Sequence, residues 1–242
     1  MTEAVVGLIG GSALSEAPFL EGPGEDRVVM TPHGTTSGPV HSGFYRGVRV
    51  LFLARHGRDH RIPPHRLNHR ANLWALKELG ATSILSTSST GSLKATIRPG
   101  TFVVPDDFVS FWNVPTYFDD EVRHVTPAVD ENLRSLLAKA IRAAGERGRN
   151  RGVYVQTTGP RLETRAEIAL FRTVGDVLGM TMASEATLAC ELGVPYASLC
   201  SVDNYCNGIV ERPLDYAQIR KTQAENATAL RAIVQKALEA IP

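Results

Sequence analysis

Several short clusters in this 242-residue chain carry side chains able to bind an anion or a heterocycle, and each follows an apolar run. Gly10-Gly11-Ser12 follows VVGLIG, Arg55-His56-Gly57 follows VRVLFLA, and Ser88 to Ser92 close a run that begins TSILSTS. Later come Thr158 to Thr164 (TGPRLET), Met180-Thr181 and the dyad Asp203-Asn204. A glycine pair followed by a hydroxyl lets backbone N–H groups and an Oγ approach an anion, because no Cβ stands in the way. It is not a dinucleotide fingerprint, since Leu14 and Ser15 stand where further glycines would be needed, and it lacks the Lys of a P-loop. Arg55 offers a planar fork of donors and His56 another hydrogen bond. Taken singly, the glycine turn suits any tight turn and the Arg-His pair suits a surface ion pair. Together with Ser12, Ser88, Ser89 and Thr181 they describe a pocket of neutral donors plus one cation, matched to inorganic phosphate, and no Asp/Glu cluster suggests a metal.

Glu163 and Asn204 supply a different chemistry. A carboxylate can accept the N1–H of a 6-oxopurine, whereas N1 of adenine carries no proton and would leave it unpaired. The Asn204 amide has a donor and an acceptor, so it can serve O6 and a protonated N7 together. Two other readings stay open at this level: Glu163 as an acid at a helix N-terminus, with Thr164 and Glu167 beside it, and Asn204 as a turn residue.

The elements that must position these groups are readable from periodicity. Buried strands are expected at 5–10, 48–54, 82–88, 101–105, 152–157, 176–180 and 196–202. Amphipathic helices are expected over His65 to Leu79, Glu131 to Ala144, Arg165 to Val174, Glu185 to Leu192 and Tyr216 to Ile241. The alternation predicts an α/β fold, a single domain over residues 1–242 with a central mixed, largely parallel β-sheet flanked by helices. In such sheets ligands bind beyond the carboxyl ends of the strands, which is where the clusters fall. The segment GERGRNRG at 145–152 reads as a solvated loop.

Composition narrows the partner. A net charge of +1 spread along the chain gives no basic stripe for a nucleic acid backbone or an acidic membrane, which favours a small molecule. No apolar run reaches the roughly 20 residues a bilayer requires, and the N-terminus has no positive signal-peptide flank, so a cytoplasmic protein is expected. The three cysteines, Cys190, Cys200 and Cys206, form no C-x-x-C pair and read as reduced thiols.

The order and extent of the motifs resemble the trimeric nucleoside phosphorylase family, which includes the 5′-methylthioadenosine phosphorylases and the low-molecular-mass purine nucleoside phosphorylases. The resemblance runs through GLIGGSAL (7–14), TPHG (31–34), RHGRDHRIPPHRLNHRANLWALKELG (55–80), STGSL (89–93), PGTFVVPDDF (99–108), GVYVQTTGPRLETRAEI (152–168) and GMTMASEA (179–186). It implies phosphate among Ser12, Arg55, His56, Ser88, Ser89 and Thr181, and ribose over Met180. The base would lie between Leu162-Glu163 and Asn204. It further implies a homotrimer or dimer of trimers in which His124 reaches a neighbouring subunit's site, and no cofactor beyond phosphate as co-substrate.

Departures from the family pattern bear on the substrate. Leu162-Glu163 stands where adenosine-type members have Phe-Ser, and Asn204 and Cys206 stand where they have two aspartates. Both changes point to a 6-oxopurine nucleoside: inosine, guanosine or 5′-methylthioinosine. Near the 5′ position, 209–219 carries no His for a 5′ hydroxyl, while Leu214, Tyr216 and Ile219 can form an apolar wall. Ser184 replaces the family's usual Pro and Ala13 its usual Gly. The expected reaction is phosphate-dependent cleavage of the N-glycosidic bond, with Asn204 at the leaving base. The rivals are 5′-methylthioadenosine phosphorolysis, a hydrolytic nucleosidase and a non-catalytic nucleoside-binding protein.

Overall fold

A computed structural model describes residues 4–112 and 115–241, so Met1 to Glu3 and Pro242, the ends of the expected domain, lie outside the described residues. In chain order the elements are β1 (Val5–Gly10), β2 (Glu21–Arg27), β3 (Val40–Tyr45), β4 (Val48–Ala54), α1 (His69–Glu78), β5 (Ser83–Ser92), β6 (Phe102–Val103), β7 (Asp107–Ser110) and α2 (Glu131–Ala143). They continue with β8 (Gly148–Arg149), β9 (Val153–Gln156), α3 (Arg165–Val174), β10 (Val177–Gly179), α4 (Met182–Glu191), β11 (Tyr196–Tyr205) and α5 (Tyr216–Glu239). The sheet runs β2-β3-β4-β1-β5-β10-β9-β7, and β11 joins it through β5 and β6. Pairing is parallel for β1 with β4 and β5, β5 with β11, and β9 with β10 and β7, and antiparallel for β2–β3, β3–β4, β5–β10 and β6–β11. The result is the α/β, mixed and largely parallel sheet expected from the alternation.

The strands legible in the sequence are those buried on both faces, which read as continuous apolar runs. Successive residues of β1 divide between the two layers, Val6 and Leu8 facing one and Val5 and Ile9 the other. The first layer is closed by α2 and α5 through Leu133, Leu137, Ile141, Leu230, Ile233 and Leu238. The second is closed by α1 and α4 through Leu73, Leu76, Met182 and Leu188. β2, β3 and β7 escaped prediction: β2 (EGPGEDR) is exposed throughout and pairs at the sheet's edge, so no burial pattern marks it. The 145–152 connection contains β8, an exposed two-residue pairing with β6, and is therefore not wholly loop. α1 starts at His69 because Asn68 caps it, accepting from Ala71 N, while Pro64–Arg66 form a separate 3-10 turn. Among the described residues no helix is long and apolar enough to cross a membrane.

β5 is the pivot of the sheet. Its Ser83–Ser86 half pairs β1 and its last two residues pair β10, while β11 runs along the other edge. A buried ion pair locks this junction. Arg55, immediately after β4, is 1% exposed and donates through Nε to Glu185 Oε1 at 2.5 Å and through Nη2 to Oε2 at 3.0 Å. Its Nη1 donates to Thr87 O of β5 at 2.8 Å, and its backbone N–H to Gly10 O of β1. Tyr196 OH of β11 donates to Glu185 Oε2. Burial opposes charge on both partners, but the Arg55 charge and hydrogen bonds outweigh it and hold Glu185 below its ordinary pKa, while Glu185 raises Arg55. Removing one partner leaves a buried charge alone. Glu185→Ala is therefore expected to cost about 3–5 kcal/mol of stability, read from the shift of a chemical denaturation midpoint.

Candidate active site

A cavity of about 380 Å³ opens beyond the carboxyl ends of β1, β4, β5, β10 and β11, where an α/β sheet places its ligands. Of the residues singled out in the sequence, Ser12, Arg55, His56, Ser89, Leu162, Glu163, Met180, Thr181, Asn204, Tyr216 and Ile219 line it. Ser88 does not. Strand alternation turns it away from Ser89, and its Oγ lies 3.5 Å from the Oγ1 of Thr181, which does line the cavity.

At one end the donors gather. Gly11 must be glycine, since a Cβ would lie 2.4 Å from Thr87 O and 2.8 Å from Arg55 Nη1. That close approach brings Ser12 beside Arg55. The Arg55 fork expected to grip an anion is instead engaged side-on by Glu185, which leaves one N–H on each of Nη1 and Nη2. Thr181 is the N-cap of α4 but makes no side-chain cap bond. Gln156 Oε1 takes the N–H groups of Ala183 and Ser184 instead, and Tyr154 OH those of Thr181 and Met182. The Thr181 hydroxyl is thus not required by its own helix. Ser184, the departure from the family's Pro, accepts from Gln156 Nε2 at 2.6 Å, and Ala13 packs against the apolar core. His56 binds Ile62 O through Nδ1 at 2.8 Å, and burial, aided by the Arg55 charge, lowers its pKa to about 4.

The other end carries Glu163, Asn204 and Cys206. The α3 N-terminus is closed by a capping box, Thr164 Oγ1 accepting from Glu167 N while the Glu167 carboxylate accepts from Thr164 N. Glu167 also holds Arg161, so the helix-terminal acid is Glu167. Glu163 is left for the cavity: 8% exposed, its Oε1 accepts from Thr157 Oγ1 at 2.7 Å, and burial raises its pKa. Its Oε2 has no partner among the described residues. Asn204 is not a turn residue but lies in β11, just past a bulge where the pairing with β5 skips Asp203. Its Nδ2 donates one proton to Tyr205 O, leaving the second N–H and Oδ1. A Cβ on the facing Gly91 would meet Cys206 Sγ at 2.6 Å and Asn204 Nδ2 at 3.1 Å, so this glycine makes room for both side chains.

Between the ends lie Met180 and an outer wall of Leu214, Tyr216 and Ile219. Facing residues His60, Arg61, Pro63 and Pro64, together with Gln223, were not singled out in the sequence. Gln223 stands one helical turn after Ile219 on α5, a spacing that could have found it. His60 sits at φ +53° and its ring packs on His56, which sequence spacing cannot show. His124 lies outside this cavity, exposed, and lines a second hollow with Phe108, Arg123, Ser184 and Glu191. The cysteines are free thiols. Among the described residues no group of three His, Cys, Asp or Glu side chains could hold a metal ion.

Residues 5–239 match the model of the phosphorylase superfamily. The chain is 39% identical to a protein of Archaeoglobus fulgidus named "Probable 6-oxopurine nucleoside phosphorylase", over 98% of this chain and 97% of that one. It is also 39% identical to an S-methyl-5′-thioadenosine phosphorylase of Hyperthermus butylicus, over 99% of this chain and 89% of that one. The methylthioadenosine phosphorylase of Schistosoma mansoni, solved with adenine, superposes with a TM-score of 0.89 at 29% identity, covering 98% of this chain and 91% of that one. The chain belongs to the phosphorylase superfamily, among its nucleoside phosphorylases, which are pentosyltransferases.

Proposed function

We propose that this enzyme cleaves 6-oxopurine nucleosides with inorganic phosphate, releasing the free base and a ribose 1-phosphate or its 5-methylthio analogue. The observation that carries this reading is the buried Glu163 carboxylate at the cavity wall, with Oε1 held by Thr157 and Oε2 without a hydrogen-bond partner among the described residues. Relatives named for 6-oxopurine substrates are 39–40% identical and those named for methylthioadenosine substrates 35–39%, so overall identity alone barely chooses between them. Glu163 does: it accepts N1–H of hypoxanthine or guanine, and with adenine it would stay buried and unpaired. Asn204 meets O6 and the N7 that gains a proton as the base leaves.

Phosphate bound among Ser12, Arg55, His56, Ser89 and Thr181, with Ser88 behind Thr181, attacks C1′ from one face while the purine departs from the other. The anion's charge stabilises the developing ribosyl cation. Met180 packs under the ribose. Leu214, Tyr216 and Ile219 give the 5′ end an apolar wall that accommodates methylthio as well as hydroxyl. The same wall supports the second reading, 5′-methylthioadenosine phosphorolysis. A hydrolytic nucleosidase or a non-catalytic binder has no need of donors gathered around an anion. In a homotrimer, His124 extends from its exposed segment toward a neighbouring site.

The deciding experiment is base release from inosine, guanosine, 5′-methylthioinosine, adenosine and 5′-methylthioadenosine, each with and without phosphate. Phosphate-dependent release of hypoxanthine or guanine is expected, and preference for the adenine nucleosides would overturn the base assignment. Asn204→Ala should lower kcat about 10²-fold, the usual cost of one preorganised contact to developing charge; near-normal turnover would remove it from the leaving-group role. Because burial raises the Glu163 pKa and N1–H needs the ionised carboxylate, activity on inosine should be full above that raised pKa and fall as the pH drops through it. Glu163→Gln should abolish this acid limb in the pH profile of kcat/KM.

A further inference from the structure

Two side chains at the anion end cannot donate to an anion. The Ser89 hydroxyl gives its single proton to Asp203 Oδ2 at 2.5 Å and accepts from Gln223 Nε2 at 2.7 Å, so only a lone pair remains. Asp203, 1% exposed at the bulge of β11, also accepts on Oδ1 from Ser201 Oγ at 2.6 Å and Asn226 Nδ2 at 2.9 Å, so three donors favour its ionised, accepting form. Burial pushes its pKa up, and the donors from Ser201, Ser89 and Asn226 oppose that rise. The His56 ring faces the same restriction. The carbonyl of Ile62 can only accept, so Nδ1 carries the ring proton of the neutral imidazole and Nε2 is an acceptor. The imidazole is neutral at neutral pH, since burial and the Arg55 charge both disfavour its cation.

An oxyanion without protons would meet both lone pairs as repulsive neighbours in a partly desolvated site. Phosphate near neutral pH always carries at least one P–OH, whereas sulfate carries none. Resting on the phosphorylase reading, we propose that the site recognises the proton on its anion. Ser89 Oγ, held by Asp203, and His56 Nε2, held by the Ile62 carbonyl, accept from the two P–OH groups of dihydrogenphosphate, or one of them from the single P–OH of hydrogenphosphate, and both disfavour sulfate. Asp203 acts here as a positioning residue through Ser89, and Gln223 extends the same chain of hydrogen bonds to α5.

The test is phosphorolysis of inosine with sulfate as competitor against phosphate, in the wild type, Asp203→Asn and Ser89→Ala. In the wild type the sulfate inhibition constant should exceed the phosphate KM by about tenfold or more, the discrimination expected when a site's buried polar groups go unpaired. Asp203→Asn supplies a donor to Ser89 and frees its proton to turn toward the cavity. The phosphate KM should then rise while the sulfate constant falls, an opposed movement that a general loosening of the site would not produce. Ser89→Ala removes one acceptor with little disturbance and should narrow the same ratio, even if the Asp203 variant fails to fold. Equal affinity for the two anions in the wild type, or constants that move together in the folded variants, would overturn the inference. Base release that needs no phosphate at all would instead defeat the phosphorylase reading, so the two failures are distinguishable.

Discussion

Burying a full positive charge under the floor of the cavity is possible here because Glu185 is buried with it. Arg55 joins β1 through its backbone N–H and β5 and α4 through its guanidinium, and Glu185 in turn receives the Tyr196 hydroxyl from β11. The strands that deliver Ser12, His56, Ser89 and Asn204 to the cavity are thus fastened to one another beneath it. Two N–H groups of Arg55 keep no partner among the described residues, and the orientation of the guanidinium is set by the Glu185 carboxylate. A group held this way loses little further freedom when it binds, which is how a preorganised site keeps its electrostatic contribution.

The same economy of partners recurs around the cavity. α4 satisfies its first N–H groups with Gln156 and Tyr154, side chains from β9, so its N-cap hydroxyl at Thr181 is released. α3 satisfies its own with Thr164 and Glu167, so Glu163 is released. In each case a neighbouring residue takes the structural duty, and the side chain at the cavity keeps an open valence. Such arrangements separate the stability of an element from the chemistry at its end.

Much of this could be read in the sequence, and the exceptions have physical causes. The buried strands announced themselves as apolar runs, whereas β2 at the sheet's edge and β3 beside it carry Gly, Glu and Ser and look like loop. The clusters after the strands were visible as such, because ligands in this architecture gather there. What spacing could not give was the partner of each group. Arg55 looked free until Glu185, 130 residues away, was folded against it. Ser88 and Ser89 looked equivalent until the strand turned one inward and the other to the cavity. Glu163 could have been separated from the helix-terminal acid in advance, since T-R-A-E at 164–167 is itself a capping-box pattern and assigns that duty to Glu167.

The bulge in β11 has a consequence for how such an enzyme changes over evolutionary time. The extra residue, Asp203, takes the Ser89 hydroxyl, and Asn204 immediately after it lines the cavity, as Glu163 does. Glu163 sits on the loop before α3, where Thr157 Oγ1 donates to its carboxylate and Asn207 Nδ2 to its backbone carbonyl. On the proposed function, recognition of the base is divided between a strand tied to the Arg55–Glu185 pair through Tyr196 and a loop that stands outside it. The loop residue can be exchanged without touching the buried ion pair. A change of base preference on this scaffold is therefore expected to start at the loop and to reach the strand second.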